Sequence, residues 1–165
     1  MKTTIAAVLL SFSAFAADLK IDVVTASPEG FLVTSTLVSG ENDAILVDAQ
    51  FTLADAHRVV AKVLESKKNL KTIVITHAHP DHFFGLEVLK QAFPKAEVVT
   101  TAAVLKEMKD ITPGKHAYWK PVYTTNLANE PQYPRRSWAT PSSSRARSSS
   151  SSHWPPASPR PRSSS

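Results

Sequence analysis

The sequence predicts an α/β domain, a mixed sheet with helices, followed by a disordered tail. Three observations predict it. Short alternating or β-branched segments recur between residues 19 and 100, and segments with apolar residues at helical spacing separate them. The run His77-Ala78-His79-Pro80-Asp81-His82 follows one such strand and precedes one such helix, where α/β proteins place their sites. Residues 131–165 contain no Ile, Leu, Val, Phe, Gly, Asp, Glu or Lys, so the core must come from the residues before them.

The first 17 residues read as an export signal. Met1-Lys2 is a positive start, Ile5 to Phe15 is a short apolar stretch, and Ala14-Phe15-Ala16 is a small-x-small cleavage pattern. The stretch is too short for a stable span, which needs about 20 apolar residues. The expected mature chain starts near Ala17 or Asp18 in a periplasmic or secreted compartment, with no membrane span after cleavage.

One domain is expected over residues 18–130. Leu19-Lys20-Ile21-Asp22-Val23 alternates like a half-exposed strand, and Phe31 to Val38 reads as a second. Gly40-Glu41-Asn42-Asp43 is a turn signal into the strand Ala44–Val47, so these two should form a hairpin. Thr52 and Asp55 have the spacing of an N-terminal capping pair. Ala56, Val59, Val60, Val63 and Leu64 then repeat at helical spacing until Lys67-Lys68-Asn69, with His57 on a solvated face. Leu70 to Thr76 reads as a buried strand, Gly85 to Gln91 as a helix and Ala96 to Thr100 as a strand. A last helix should run from about Thr101 to Lys109, with Pro113-Gly114 stopping it. The chain has no Cys, which excludes disulfides.

The motif carries the chemistry. Three imidazoles and a carboxylate within six residues are donors that borderline metals such as zinc prefer. His77 and His79, two apart in an extended segment, leave the chain on the same side and can grip one ion. Asp81 and His82, after a proline, can turn toward a second ion, and two metals about 3.5–4 Å apart are the usual apparatus for activating a water in hydrolysis. A His-rich surface loop holding no ion is the competing reading.

Thr76-His77-Ala78-His79-Pro80-Asp81-His82-Phe83-Phe84-Gly85 resembles the His-x-His-x-Asp-His signature of the metallo-β-lactamase-fold hydrolases. Phe31–Val38 and Ala44–Asp48 resemble the strands that open that fold, and Ala96–Thr100 its next strand, over residues 19 to 130. The resemblance implies the N-terminal half of a four-layer αββα sandwich. It also implies two zinc ions, with His77 and His79 binding one and Asp81 and His82 the other. Asp48 would be a buried carboxylate orienting the loop from behind the ligands. A bridging hydroxide would attack an ester, lactone, lactam or thioester of a small-molecule substrate, with Asp81 as the catalytic group that helps handle the proton. The family completes its ligand set with two further histidines and a bridging aspartate. After His82 this chain has only His116 and His153, and after Asp81 only Asp110, so the ligand set is incomplete and low or no turnover is expected. His116 is expected on a loop near the substrate mouth. A non-catalytic zinc-binding or misfolded fragment is the alternative reading. Half a sandwich would leave a sheet face and an edge open, which pairing with a second copy could cover.

Charge separates the ends of the chain. Thirteen basic and fourteen acidic residues give residues 1–130 a net charge of −1, and six arginines in residues 131–165 account for the total of +5. Thirteen of those 35 residues are Ser. Out-of-frame translation, a solvated linker and a basic arm are the three readings of this tail. The arm fits least, because nucleic-acid binding is not expected of an exported protein.

Overall fold

The computed structural model describes residues 18–138; the expected export signal, residues 1–17, and the rest of the tail, with His153, lie outside the described residues. Six strands form one sheet in sequence order, β1 (Lys20–Thr25), β2 (Thr34–Ser39), β3 (Asp43–Val47), β4 (Asn69–Val74), β5 (Glu97–Thr101) and β6 (Arg136–Trp138). The first three pair antiparallel, and β3 through β6 pair parallel. The parallel crossovers run through α1 (Leu53–Ser66), α2 (Leu86–Ala92) and α3 (Ala102–Tyr123). The sheet is mixed, as expected.

The pleat decides which side chains meet the helices. Leu37, Leu46, Ile73 and Val98 stand side by side across β2 to β5, and all are buried. They share a core with Val59 and Val63 of α1, Leu86 and Leu89 of α2, and Met108 of α3. On the opposite face Ile21, Val38 and Ile45 line up, with Val23 beside them; Ile21 is 64% exposed, Val23 58% and Ile45 43%. Among the described residues this apolar face has no layer over it.

Three boundaries differ from the sequence expectation. The second strand starts at Thr34, not Phe31, because Pro28–Gly30 forms a 3-10 turn. Phe31 N–H donates to Pro28 O and Leu32 N–H to Ser27 O, and both residues stand at positive φ. The third helix does not stop at Pro113-Gly114 and continues to Tyr123. Pro113 removes one helical hydrogen bond, but it and Gly114 lie on the exposed side, where water can serve the freed carbonyl. Met108 and Thr112 are buried, and Ile111, Trp119 and Tyr123 pack onto the core, which outweighs the local cost. The sheet also extends past the expected boundary at residue 130, since β6 pairs with β5. Aliphatic side chains are not the only source of burial: Tyr133, packed on the core near Phe83, and buried Pro134 supply apolar surface there.

Helix α1 is anchored by a buried carboxylate. Thr52 caps it, its Oγ1 accepting from the Asp55 N–H at 3.0 Å and donating to the Asp55 carboxylate at 2.6 Å. The same carboxylate accepts from the Ser27 N–H at 2.9 Å and hydroxyl at 3.0 Å, and from Arg58. Burial pushes the carboxyl pKa up, but the bonds from Thr52 and Ser27 and the Arg58 charge outweigh it and hold it below the usual carboxylate value. A lowered folded-state pKa contributes stability above the unfolded value of about 3.9, and that contribution is lost as pH falls through the folded value. Asp55→Asn should therefore cost about 2–3 kcal/mol at pH 7 in urea unfolding. The gap between variant and parent should close progressively below about pH 4, and a gap independent of pH would contradict the assignment.

Candidate metal centre

The loop Thr76–Phe84 leaves the carboxyl end of β4 and is stitched to the segment that leaves β3. Asp48 N–H donates to Val74 O at 2.8 Å, Ala49 N–H to His82 O at 2.7 Å, and Gly85 N–H to Gln50 O at 2.9 Å. Asp48 takes a left-handed φ of 62°, which Asp tolerates better than most residues. This turns its carboxylate under the loop. Pro80–His82 makes a 3-10 turn, so Asp81 and His82 project beside His77 and His79.

The four residues singled out by the motif are brought together. The His77 ring lies 4.9 Å from that of His79 and 3.9 Å from that of His82, centroid to centroid. His82 Nε2 is 3.6 Å from an Asp81 carboxylate oxygen. The gathering is looser than the motif implies. Among the described residues, no set of three or more His, Asp or Glu side chains is arranged to hold a metal ion. The rings rest on one another, and each proposed pair contributes two donors.

Asp48 accepts from the Thr76 N–H and the Thr76 hydroxyl, each at 2.8 Å, and lies 2.8 Å from His82 Nδ1. A carboxylate only accepts, so the proton of a neutral His82 belongs on Nδ1, and Nε2 keeps its lone pair. The same logic extends one residue further. Thr76 has one hydroxyl proton and gives it to Asp48, so His77 Nδ1, 2.9 Å from Thr76 Oγ1, must be the donor in that contact. His77 Nε2 is then also free to ligate. Burial, with the positive charge that His82 and His79 can carry, lowers the His77 pKa below its ordinary value and favours the neutral ring a metal needs. In donor chemistry, two neutral imidazoles with oriented Nε2 atoms beside a carboxylate fit zinc.

Thr76 stood in the motif without a role, because its part depends on Asp48, 28 residues away. Thr76→Val removes the hydroxyl and leaves the backbone bond to Asp48. Nitrogen-15 NMR of the ring should show a single Nδ1–H tautomer of His77 in the parent and a mixture in the variant, with His82 unchanged. An unaltered His77 spectrum would sink this assignment.

A cleft of about 210 Å³ opens beside the loop, lined by Phe31, Phe51, His79, Pro80, Asp81, Lys115 and Trp119. His116 is not on a loop at its mouth, as expected, but on α3. Its Nε2 lies 2.9 Å from Ala128 O, and its ring sits 5.9 Å from that of Phe84. Lys115 and Trp119, one turn apart on α3, line the cleft, whereas the His116 side chain is turned to Ala128 O and Phe84. Asp110 pairs with Lys106 on the exposed surface of α3. His57 is exposed on α1, as its spacing predicts.

Known proteins match this architecture in part. The uncharacterized protein YobT of Bacillus subtilis is 38% identical over 77 residues, which are 46% of this chain and 32% of that protein. A probable metallo-hydrolase of Streptococcus pyogenes serotype M6 is 31% identical over 61 residues, 34% of this chain and 26% of that protein. The chain thus spans about a third or less of the curated relatives it matches. The crystal structure of the BLEG-1 B3 metallo-beta-lactamase superposes with a TM-score of 0.52 at 15% identity, covering 68% of this chain and 50% of that one, which shows the fold. A family model for the metallo-beta-lactamase superfamily matches residues 28–136, well over half of the sequence, and the chain belongs to that superfamily.

Proposed function

We propose that this chain carries the first half of the active site of a zinc-dependent hydrolase that cleaves an ester, lactone, lactam or thioester. The observation that carries the reading is the Asp48 network, which leaves Nε2 of both His77 and His82 free beside Asp81. His77 and His79 would hold one zinc, and Asp81 and His82 a second. When bound, zinc polarises a carbonyl and acidifies water, which is the chemistry this hydrolysis needs. Asp48 fixes the ring proton of His82 directly and that of His77 through Thr76, so both imidazoles would offer Nε2 to a metal. The Asp81 carboxylate, 3.6 Å from His82 Nε2 and on the cleft wall, can take up a proton released there.

A second reading, a zinc-binding fragment without turnover, is favoured by one specific observation: no three donors among the described residues are arranged around one ion. A catalytic zinc takes three protein ligands plus water, so two donors per ion imply weak binding. Zinc content by mass spectrometry, with turnover on lactam, lactone and thioester reporters, tests both readings. Zinc that is lost in His77→Ala, with turnover far below the usual range of about 1–1000 per second, supports the half-site reading. Turnover inside that range overturns the two-donor argument. A parent chain that binds no zinc overturns the hydrolase reading for this chain.

A further inference from the structure

Three aromatic side chains and one unpaired cation stand over the loop, and the zinc reading uses none of them. Phe31 rests on Phe51 at 5.2 Å and on Trp119 at 5.6 Å between ring centroids, and Phe51 on Trp119 at 5.8 Å. Phe31 is nevertheless 48% exposed, because its φ of 62° turns it out of the core. Its turn is held twice, by the Ser27 bonds to buried Asp55 and by the Tyr123 hydroxyl donating to Glu29 O at 2.7 Å. The second bond ties the turn to α3, the opposite wall, so the cleft is preformed. Lys115 lies on α3 one turn before Trp119, exposed, with no ion pair or hydrogen bond among the described residues. Asp81 places the opposite charge elsewhere in the cleft lining.

We propose that this cleft is a specificity site for a substrate carrying one flat apolar group and a carboxylate, the apolar group laid against the contacting rings of Phe31 and Trp119 and the carboxylate at Lys115. The volume of about 210 Å³ is below the roughly 300–1,000 Å³ that holds a whole drug-sized ligand, so one ring-sized group fits and the rest lies over the loop. The negative Asp81 and positive Lys115 set the direction: the carboxylate of the ligand is driven to the α3 end and away from Asp81. Aromatic walls contribute area without ordering flexible side chains. The substrate class deepens the hydrolase reading and rests on it; the binding preference itself does not.

The test uses 4-phenylbutyrate and its neutral amide, titrated into the full chain and followed by ligand-observed NMR. EDTA is present, because a carboxylate is itself a zinc ligand. At low ionic strength the acid should bind about threefold to fivefold more tightly than the amide, the scale of an exposed ion pair. Lys115→Met should make the two equal, and 0.5 M salt should do the same to the parent. Phe31→Ala, at a half-exposed position that leaves the core in place, should weaken both ligands by about fivefold. An acid preference that survives Lys115→Met, binding of both ligands unchanged in Phe31→Ala, or no binding of either ligand overturns the proposal. His77→Ala, with its zinc content measured separately without EDTA, tells the two readings apart, since it should remove zinc and leave the acid preference intact. If the parent takes up no zinc but the Lys115 dependence holds, the hydrolase reading falls and the cleft stands. If zinc binds and the preference is absent, the cleft alone falls.

Discussion

Asp48→Ala should weaken zinc binding by about 10–100-fold and destabilise the domain by about 3 kcal/mol. The carboxylate is buried and serves three donors, the Thr76 N–H, the Thr76 hydroxyl and His82 Nδ1–H. Removing it leaves the Thr76 N–H without its partner and releases both imidazoles from a single tautomer. It also replaces a residue at φ 62° with one that tolerates that region less well. Asp48→Asn is the sharper experiment. An amide keeps the shape but brings two donors, and an NH2 turned toward His82 Nδ1 drives the ring proton to Nε2, the nitrogen meant to ligate. The Asn variant should therefore lose less stability than the Ala variant and as much or more zinc affinity. Chelator competition and urea unfolding measure the two quantities separately. Equal loss of both in the two variants would mean that Asp48 acts only as a structural anchor.

Gly85→Ala should destabilise the fold by about 3 kcal/mol or more. The backbone at Gly85 is ordinary, with φ −68°, so conformational freedom is not the reason for glycine. Space is. A Cβ would stand 2.0 Å from Ala49 O and 2.8 Å from the Ala56 Cβ, and neither can swing away as the end of a flexible side chain could. The Ala49–Gln50 segment would have to move, and with it the bonds from Ala49 to His82 O and from Gly85 to Gln50 O. The His77–His82 loop would therefore shift along with the loss of stability. Gly114→Ala is the control: nothing lies within 4 Å of that Cβ, so the better helix former should add up to about 1 kcal/mol to α3. Thermal unfolding of the two variants should move in opposite directions. A Gly85 variant as stable as the parent would show that the loop and the β3 end are not packed this tightly.

The four proposed ligands were legible in the sequence because they are neighbours. Six consecutive residues bring His77, His79, Asp81 and His82 together whatever the rest of the chain does, and the flanking strand and helix are short, strongly patterned segments. Thr52 and Asp55 were legible as a cap for the same reason. What the sequence determined alone is thus local: the alternation of strands and helices, the donors, and a cap three residues long. Tertiary structure decided the remainder. It sent α3 through Pro113 and Gly114, since packing Met108, Trp119 and Tyr123 outweighs a lost helical bond that costs little at an exposed position. That continuation turned His116 to a backbone carbonyl and put Lys115 and Trp119 at the cleft. It extended the sheet to β6, and just before that strand Tyr133 and Pro134 supply burial that a lack of aliphatic residues conceals. And it placed Asp48 beneath residues 28 and 34 positions later, so that one buried carboxylate sets the proton on two imidazoles. Spacing along a chain reports contacts within a turn or two, whereas a hydrogen-bond network drawn from two loops exists only once the sheet has brought its strand ends together.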